Sequence, residues 1–376
     1  MTNLSEVSKA KNIVIKIGSS LLMNGNKFNS KWLRGFVDDI LFLKSKKKNL
    51  VIVASGAVSL GRKYLNIKTE KISINIKQAC AACGQIILMK NFMRHFEARK
   101  MKVAQILLTF SDTEDRRKSL NSRETIKSLL ELKIIPIINE NDSVATDELK
   151  FGDNDRLAAR VAQVIGSDLL ILLSDVEGLY DTNPKKDKKA KLIERVTNIN
   201  SKIFKMSSSE TNDFGSGGMF TKIQAAEIAS TFGCKTIIMK GNITSPISTF
   251  EKQKKGTIFT SVVKKKDSFK NWLGGSINIS GFVYIDDGAI KALDDGASLL
   301  PSGIKKTSGN FSKGDIIEIL NSRGKKLGRG ISYYDSKEID LIKGKKSIYI
   351  KETLGYEGRD EIIHRDYLFL KKNGNN

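Results

Sequence analysis

Six short runs dominated by Ile, Val and Leu punctuate the first 245 residues: NIVIKIG (12–18), NLVIVAS (49–55), VAQILLTF (103–110), IIPIIN (134–139), DLLILLS (168–174) and KTIIMK (235–240). Apolar residues at successive positions, rather than at every second one, predict strands buried on both faces, as in a parallel sheet covered by helices. Between them lie longer stretches with helical spacing, among them SKWLRGFVDDILFLKSK, IKQACAACGQIILMKNFMRHF, SLNSRETIKSLLEL, NDRLAARVAQVIG and FTKIQAAEIASTFG. The alternation predicts a doubly wound α/β domain, its mainly parallel sheet sandwiched by helices. Ligands of such a domain belong in the crevice beyond the carboxyl ends of the strands.

After Thr260 the pattern changes. A charged, glycine-containing stretch, SVVKKKDSFKNWLGGS, leads into the short runs FVYID, GDIIEIL, KKLGRGISY and SIYIK, separated by Gly, Asp and Asn. Short strands at close spacing predict a separate small β-barrel or sandwich, taken as a C-terminal β-barrel. The expected domains are residues 1–270 and 276–370, followed by a frayed tail, KKNGNN.

Composition narrows the class of protein. At 376 residues, with 40% hydrophobic and 28% charged residues and four prolines, the chain resembles a folded globular enzyme rather than a disordered one. The polar opening MTNLSEVSKAKNIVIKIG does not read as a signal peptide, and the expectation is a cytoplasmic chain that does not engage a membrane. Cys80, Cys83 and Cys234 form no disulfide framework, and Cys80 and Cys83 sit on one face of an apolar helix as buried thiols. With two histidines, His95 and His364, the chemistry must proceed without an imidazole centre. The formal charge is +23, of which +3 falls on residues 276–376 and +20 on the rest. Lysine clusters at 44–48, 185–191 and 264–266 account for much of the excess and read as solvated surface. A positive field still favours anionic substrates.

The polar residues at the predicted strand ends suggest the chemistry. Gly18-Ser19-Ser20, Ser55-Gly56-Ala57, Asn139-Glu140-Asn141-Asp142 and Ser174-Asp175 each follow a strand, where backbone N–H groups can approach an anion. Each alone is also ordinary turn chemistry. GSGGMFTK, Gly215 to Lys222, looks like a phosphate loop but is not a Walker A element, because Thr221 precedes the lysine and Ile223 follows it. Phosphoryl transfer without that element still needs lysines and backbone donors around the moving group. Lys16 ends an apolar strand, where its charge needs an anion or carboxylate to meet it, and Lys222 opens a helix after the glycines. In FGDND (151–155) Asp155 has two readings, helix N-cap or site residue. The density of Asn139, Asn141, Asp142, Asp153 and Asn154 suits a small zwitterion, with Asp142 meeting an ammonium. Asn154 and Ser55 would donate to, or accept from, a carboxylate or amine.

The stretches KIGSS, VIVASGAVSLG, IIPIINENDSVATDELKFGDNDRLAA, LLILLSDVEGLYDTNP and GSGGMFTKIQAA together resemble the amino acid kinase family, over residues 11–260. DDGASLLPSGIKKTSGNFSKGDIIEI and ETLGYEGRDEIIHRD resemble the PUA domain appended to bacterial members. The resemblance implies ATP-dependent phosphorylation of the side-chain carboxylate of L-glutamate, giving glutamyl 5-phosphate for proline synthesis. It implies that Lys16 and Lys222 stabilise the moving phosphoryl, that Asp155 orients them, and that Ser55, Asp142 and Asn154 bind glutamate. For the nucleotide it implies Lys16, Ser174 and Asp175, with Ser216, Gly217, Gly218, Met219, Phe220, Thr221 and Lys222 of the glycine loop. Ser174 and Ser216 stand where many members have threonine, and Phe220 is bulkier than the small residue expected. Mg2+ would be held by ATP phosphates and water, without a protein metal cage. A homotetramer and a glutamyl phosphate reductase as functional partner are further implications. The rivals are an aspartate or acetylglutamate kinase, or an RNA-binding protein acting through the C-terminal domain, which its small net charge disfavours.

Overall fold

In the computed structural model of the protein the described residues are 6–24, 27–69, 72–144, 154–184, 186–207, 218–261 and 279–370. The chain divides into two compact units, residues 1–265 and 266–376. The first is built on an eight-stranded sheet: β1 (Asn12–Lys16), β2 (Asn49–Val53), β3 (Val103–Leu108), β4 (Ile135–Glu140), β5 (Leu169–Ser174), β6 (Arg195–Val196), β7 (Lys235–Lys240) and β8 (Thr257–Phe259). The order is β3-β4-β2-β1-β5-β7-β8-β6. The first six of these run parallel, and β8 pairs antiparallel with β7. Strand β1 lies between β2 and β5, where the chain switches from one half of the sheet to the other, which is the place such sheets offer a ligand.

Helices cover both faces, as the apolar runs require. On one side, α1 (Ser30–Ser45) and α3 (Ile74–Glu97) bring Leu33, Phe36, Phe92 and Phe96 against Ile13, Ile15, Leu50 and Ile52. On the other, α5 (Asn154–Val164) and α6 (Met219–Ser230) bring Leu157, Val161, Ile223 and Ala226 against Val14, Val51, Val53 and Leu172. Two more helices, α2 (Ala57–Tyr64) and α4 (Arg116–Glu131), follow β2 and β3. The edge strand β3 is mostly half-buried, because one of its sides has no neighbouring strand. Among the described residues no helix is long and apolar enough to cross a membrane.

Two contacts set element positions in ways that hydrophobic patterning does not encode. Helices α2 and α3 cross so closely that a Cβ at Gly61 would lie 1.7 Å from the Cys80 carbonyl oxygen, and one at Gly84 would lie 1.8 Å from that of Ala57. Asp39, buried within α1, accepts the backbone N–H groups of Ile247 and Ser248 at 2.8 and 3.1 Å, and so caps α7 (Pro246–Gln253) from another helix.

The second unit carries a separate five-stranded sheet: β9 (Gly281–Ile285), β10 (Ile304–Ser308), β11 (Ile316–Asn321), β12 (Lys326–Ile331) and β13 (Leu368–Leu370), in the order β10-β9-β11-β12-β13. Its pairs are antiparallel except β9 with β11. SIYIK, expected to be a strand, is instead the 3-10 turn Ser347–Tyr349 running into the helix Ile350–Leu354. Ile348 and Tyr349 are both exposed and Ile350 is buried, so the segment lacks the alternation that a half-buried strand needs. The converse holds for β10, IKKTS, an edge strand whose lysines face outward and whose sequence carries little apolar signal.

Candidate active site

Period-two alternation in β1 decides where its lysine points. Ile13 and Ile15 pack on the α1 and α3 side, so Val14 and Lys16 face α5 and α6. Lys16 pairs in register with Val53 and Leu172 on either side, which places it at the carboxyl end of the central strands. Asp155, the second residue of α5, meets it there. Its carboxylate lies 2.6 Å from Lys16 Nζ through Oδ1, and 3.1 Å from Lys222 Nζ through Oδ2. The Thr221 hydroxyl is 2.9 Å from both Asp155 Oδ2 and the Gly218 carbonyl, and its single proton serves one at a time. All three charged side chains are buried, with Lys16 5%, Lys222 6% and Asp155 0% exposed. Burial alone would push the Asp155 carboxyl up. The ammonium groups of Lys16 and Lys222 outweigh it and hold the carboxyl well below the usual carboxylate range.

This cluster carries one negative charge against two positive ones. Buried charge costs several kcal/mol per ion unless it is compensated, and two ammonium groups held at the sheet's carboxyl end are suited to meeting an anion. Next to it, α6 begins at Gly218, which contributes no side-chain cap. The first backbone N–H groups of a helix have no intrahelical partner, and a Cβ at Gly218 would meet nothing within 4 Å. A helix start without a side-chain cap and the helix dipole are together suited to phosphate.

A polar network extends from the other side. Asn154, first residue of α5, donates its side-chain amide to the Ala54 carbonyl and, at 2.9 Å, to Asn139 Oδ1. Asn139 in turn donates to Gln85 Oε1 at 2.7 Å. With both amide protons spent, Asn154 has its oxygen left and can only accept from a ligand. The Ser55 hydroxyl, one residue past Ala54, is buried without a hydrogen-bond partner among the described residues. Gly56, at φ +105°, opens α2, whose N-terminus has no side-chain cap. Asp142 lies two residues beyond β4, half-buried, and burial pushes its carboxyl up to about 6.

The structure thus brings Lys16, Asp155, Lys222 and Thr221 into contact, and places Ser55 and Asn154 around Ala54. Ser174 ends β5, buried, with its hydroxyl 3.3 Å from Asp175 Oδ1, while Asp175 itself is exposed. Met219 and Phe220 open α6. Phe220 is 46% exposed and its ring packs on Phe204 of the helix Ser201–Ser207, with centroids 5.5 Å apart, so its bulk has a neighbour within the chain. Ser216, Gly217 and Asp153 lie outside the described residues. Sequence reading did not single out Gln85 or the Thr221–Asp155 contact, since a glutamine in an apolar helix and a threonine in a glycine loop each have commonplace explanations.

Among the described residues no group of three or more His, Cys, Asp or Glu side chains could hold a metal ion. Asp155, the carboxylate at the centre, is already engaged by two lysines. Mg2+ that arrives on the phosphates of a nucleotide needs only one or two protein carboxylates and water beside them.

Residues 11–240 match the amino acid kinase family, and residues 281–354 match the PUA domain. Relatives named glutamate 5-kinase align along nearly the whole chain. The one from Pelagibacter ubique is 47% identical over 95% of this chain and 97% of its own length. That from Rhizobium leguminosarum bv. trifolii is 42% identical over 98% of this chain and 95% of its own. That from Bartonella henselae is 41% identical over 98% and 97%.

Proposed function

The chain belongs to the amino acid kinase family, and from that premise we propose that it transfers the γ-phosphoryl group of ATP to the side-chain carboxylate of L-glutamate. The product is L-glutamyl 5-phosphate, and the reaction is the first step of proline biosynthesis. The observation that carries this reading is the buried Lys16–Asp155–Lys222 cluster, which holds two lysines at the carboxyl end of the central strands. A carboxylate oxygen of glutamate attacks the γ-phosphorus, a new O–P bond forms, and the bond to the β,γ-bridging oxygen breaks as ADP leaves with the electron pair. No proton moves in this step, because the attacking carboxylate has a free pKa of about 4.3 and is ionised at neutral pH. The shortage of histidine therefore costs the reaction nothing.

Within this reading Lys16 and Lys222 neutralise the oxygens of the moving group, and Asp155 holds both lysines in place. Asp142 meets the substrate ammonium, Asn154 accepts from it through Oδ1, and Ser55 and the α2 N-terminus receive the α-carboxylate. Lys16, Ser174, Asp175 and the Ser216 to Lys222 loop hold the nucleotide, which enters as its Mg2+ complex. A homo-oligomer, with a tetramer as its form, is the family-based proposal for assembly. An acyl phosphate hydrolyses readily, so a glutamyl phosphate reductase that consumes it is the proposed functional partner.

Coupled ADP release with L-glutamate, L-aspartate and N-acetylglutamate tests the assignment. Turnover is expected with glutamate, and acetylation should abolish it by removing the charge that Asp142 meets. Turnover confined to aspartate would overturn the reading.

A further inference from the structure

A third lysine stands at the carboxyl end of the sheet. Lys240 ends β7 in register with Ser174 at the end of β5, and side chains of parallel neighbours in register share a face. Alternation tells which face. Ile237 and Met239 pack on the α1 and α3 side, whereas Ile238 packs with Ile223 and Ala226 of α6, so Lys240 shares the face of Ile238. Lys16 lies on that face too, two strands away. Strands lie about 4.8 Å apart and each residue adds about 3.3 Å, so the backbones at Lys16, level with Leu172, and at Lys240, level with Ser174, are about 12 Å apart. That span leaves room for a chain of phosphates between the two ammonium groups.

The backbone at this point is fixed by the next residue. Gly241 donates its N–H to the Ser174 carbonyl at 2.6 Å and accepts the Trp32 indole N–H at 2.6 Å, and a Cβ on it would press on Leu21 and Leu173. Lys240 is half-buried, and among the described residues its ammonium has neither a hydrogen bond nor an ion pair. Lys16 and Lys222 differ, since each meets Asp155. The nearest carboxylate in the β5 turn, Asp175, is exposed and has the Ser174 hydroxyl 3.3 Å from its Oδ1. A lysine withdrawn from water and without a carboxylate is suited to an anion that a ligand supplies.

We propose that Lys240 binds the phosphates that stay on ADP, and is thus a nucleotide-affinity residue separate from the lysine pair that acts on the transferred group. This rests on the assignment of Ser174 and the glycine loop to the nucleotide made above. Lys16 and Lys222 converge on Asp155, which sets the moving phosphoryl at the end of β1. Ser55 and Asn154 occupy the β2 side of that point, where glutamate sits. A polyphosphate chain that leaves the other way passes Ser174 and reaches Lys240. Contact with phosphates that do not move is equally strong before and during transfer, so it lowers KM without raising kcat.

Lys240→Met keeps an apolar stem and removes the ammonium. The readout is the dissociation constant of the Mg2+ complex of ADP, measured by calorimetry beside the kinetic constants. In Lys240→Met this constant and the KM for ATP are expected to rise together by at least about tenfold, on the scale of one hydrogen bond to a charged group. The kcat and the KM for glutamate should change little. Lys240→Arg keeps a cation able to meet phosphate and is expected to stay within about threefold of the parent. An unchanged ADP constant in Lys240→Met, whatever its Tm, overturns the proposal. So does a fall in kcat of about 10²-fold or more, which would put Lys240 on the moving group instead. Should Lys240→Met not fold, Lys240→Gln carries the same expectation, and an unchanged constant there overturns the proposal by itself. Failure of the parent to bind ADP sinks the nucleotide assignment, whereas parental binding matched by Lys240→Met sinks Lys240 alone.

Discussion

Asp155 is one carboxylate serving two ammonium groups, and that double engagement separates its role from an ordinary helix cap. If the two lysines are there for the moving phosphoryl, removing either leaves transition-state charge unmet. Lys222→Ala and Lys16→Ala are each expected to lower kcat by at least about 10²- to 10³-fold, as for loss of one oxyanion donor. Near-parental turnover in Lys222→Ala would remove the catalytic role assigned to the glycine loop. Asp142 yields a prediction of a different kind. Its carboxyl is raised by burial to about 6, so the free protein holds it neutral below that pH, and this group's contribution to stability falls as pH rises from about 4 through 6. Binding an ammonium needs the ionised form. The KM for glutamate is therefore expected to rise as pH drops through 6, by up to about tenfold per unit below it, and Asp142→Asn should show a high KM without that slope. Lys16 was legible in the sequence because a charge ending an apolar strand demands a partner. Gln85 was not, because its partner is an asparagine on another element, 54 residues away.

Elements were legible where a segment's own composition decides its environment. Apolar β1, β2 and β5 announced their double burial, and all three are buried along nearly their whole length. The α2 and α3 crossing was hidden, since neither Gly61 nor Gly84 reveals which backbone lies against it. The SIYIK segment misleads for the opposite reason: its apolar residues suggest a strand and instead form a turn and the start of a short helix. The crossing is testable by contrasting two glycines. Gly84→Ala would put a Cβ into the Ala57 backbone, and overpacking of this kind costs about 1–3 kcal/mol. It is expected to lower Tm. Gly218→Ala meets open space and has an ordinary negative φ, so its Tm should match the parent. Equal Tm values for the two variants would show that the helices can separate without cost.

At the scale of the whole molecule, charge and fold divide at about the same place. Every proposed site residue lies between Lys16 and Lys240, in the part carrying +20, while residues 276–376 carry +3. Several cations of the second unit are also engaged: Lys326 and Arg329 with the buried Glu318, Lys305 with Asp286, and Lys343 with Asp340. Polyanion binding depends on cations free to replace condensed counterions, and its affinity falls steeply with salt. The balance of +3 was readable from composition, but the pairing of those cations required the strand register that sets Glu318 opposite Arg329. We therefore propose that RNA is not a partner of the second unit. A labelled RNA hairpin should bind the intact chain and a chain ending at residue 265 alike, weakly and with loss at physiological salt, because the charge responsible is common to both. Markedly tighter binding by the intact chain that persists in salt would instead make the second unit an RNA reader.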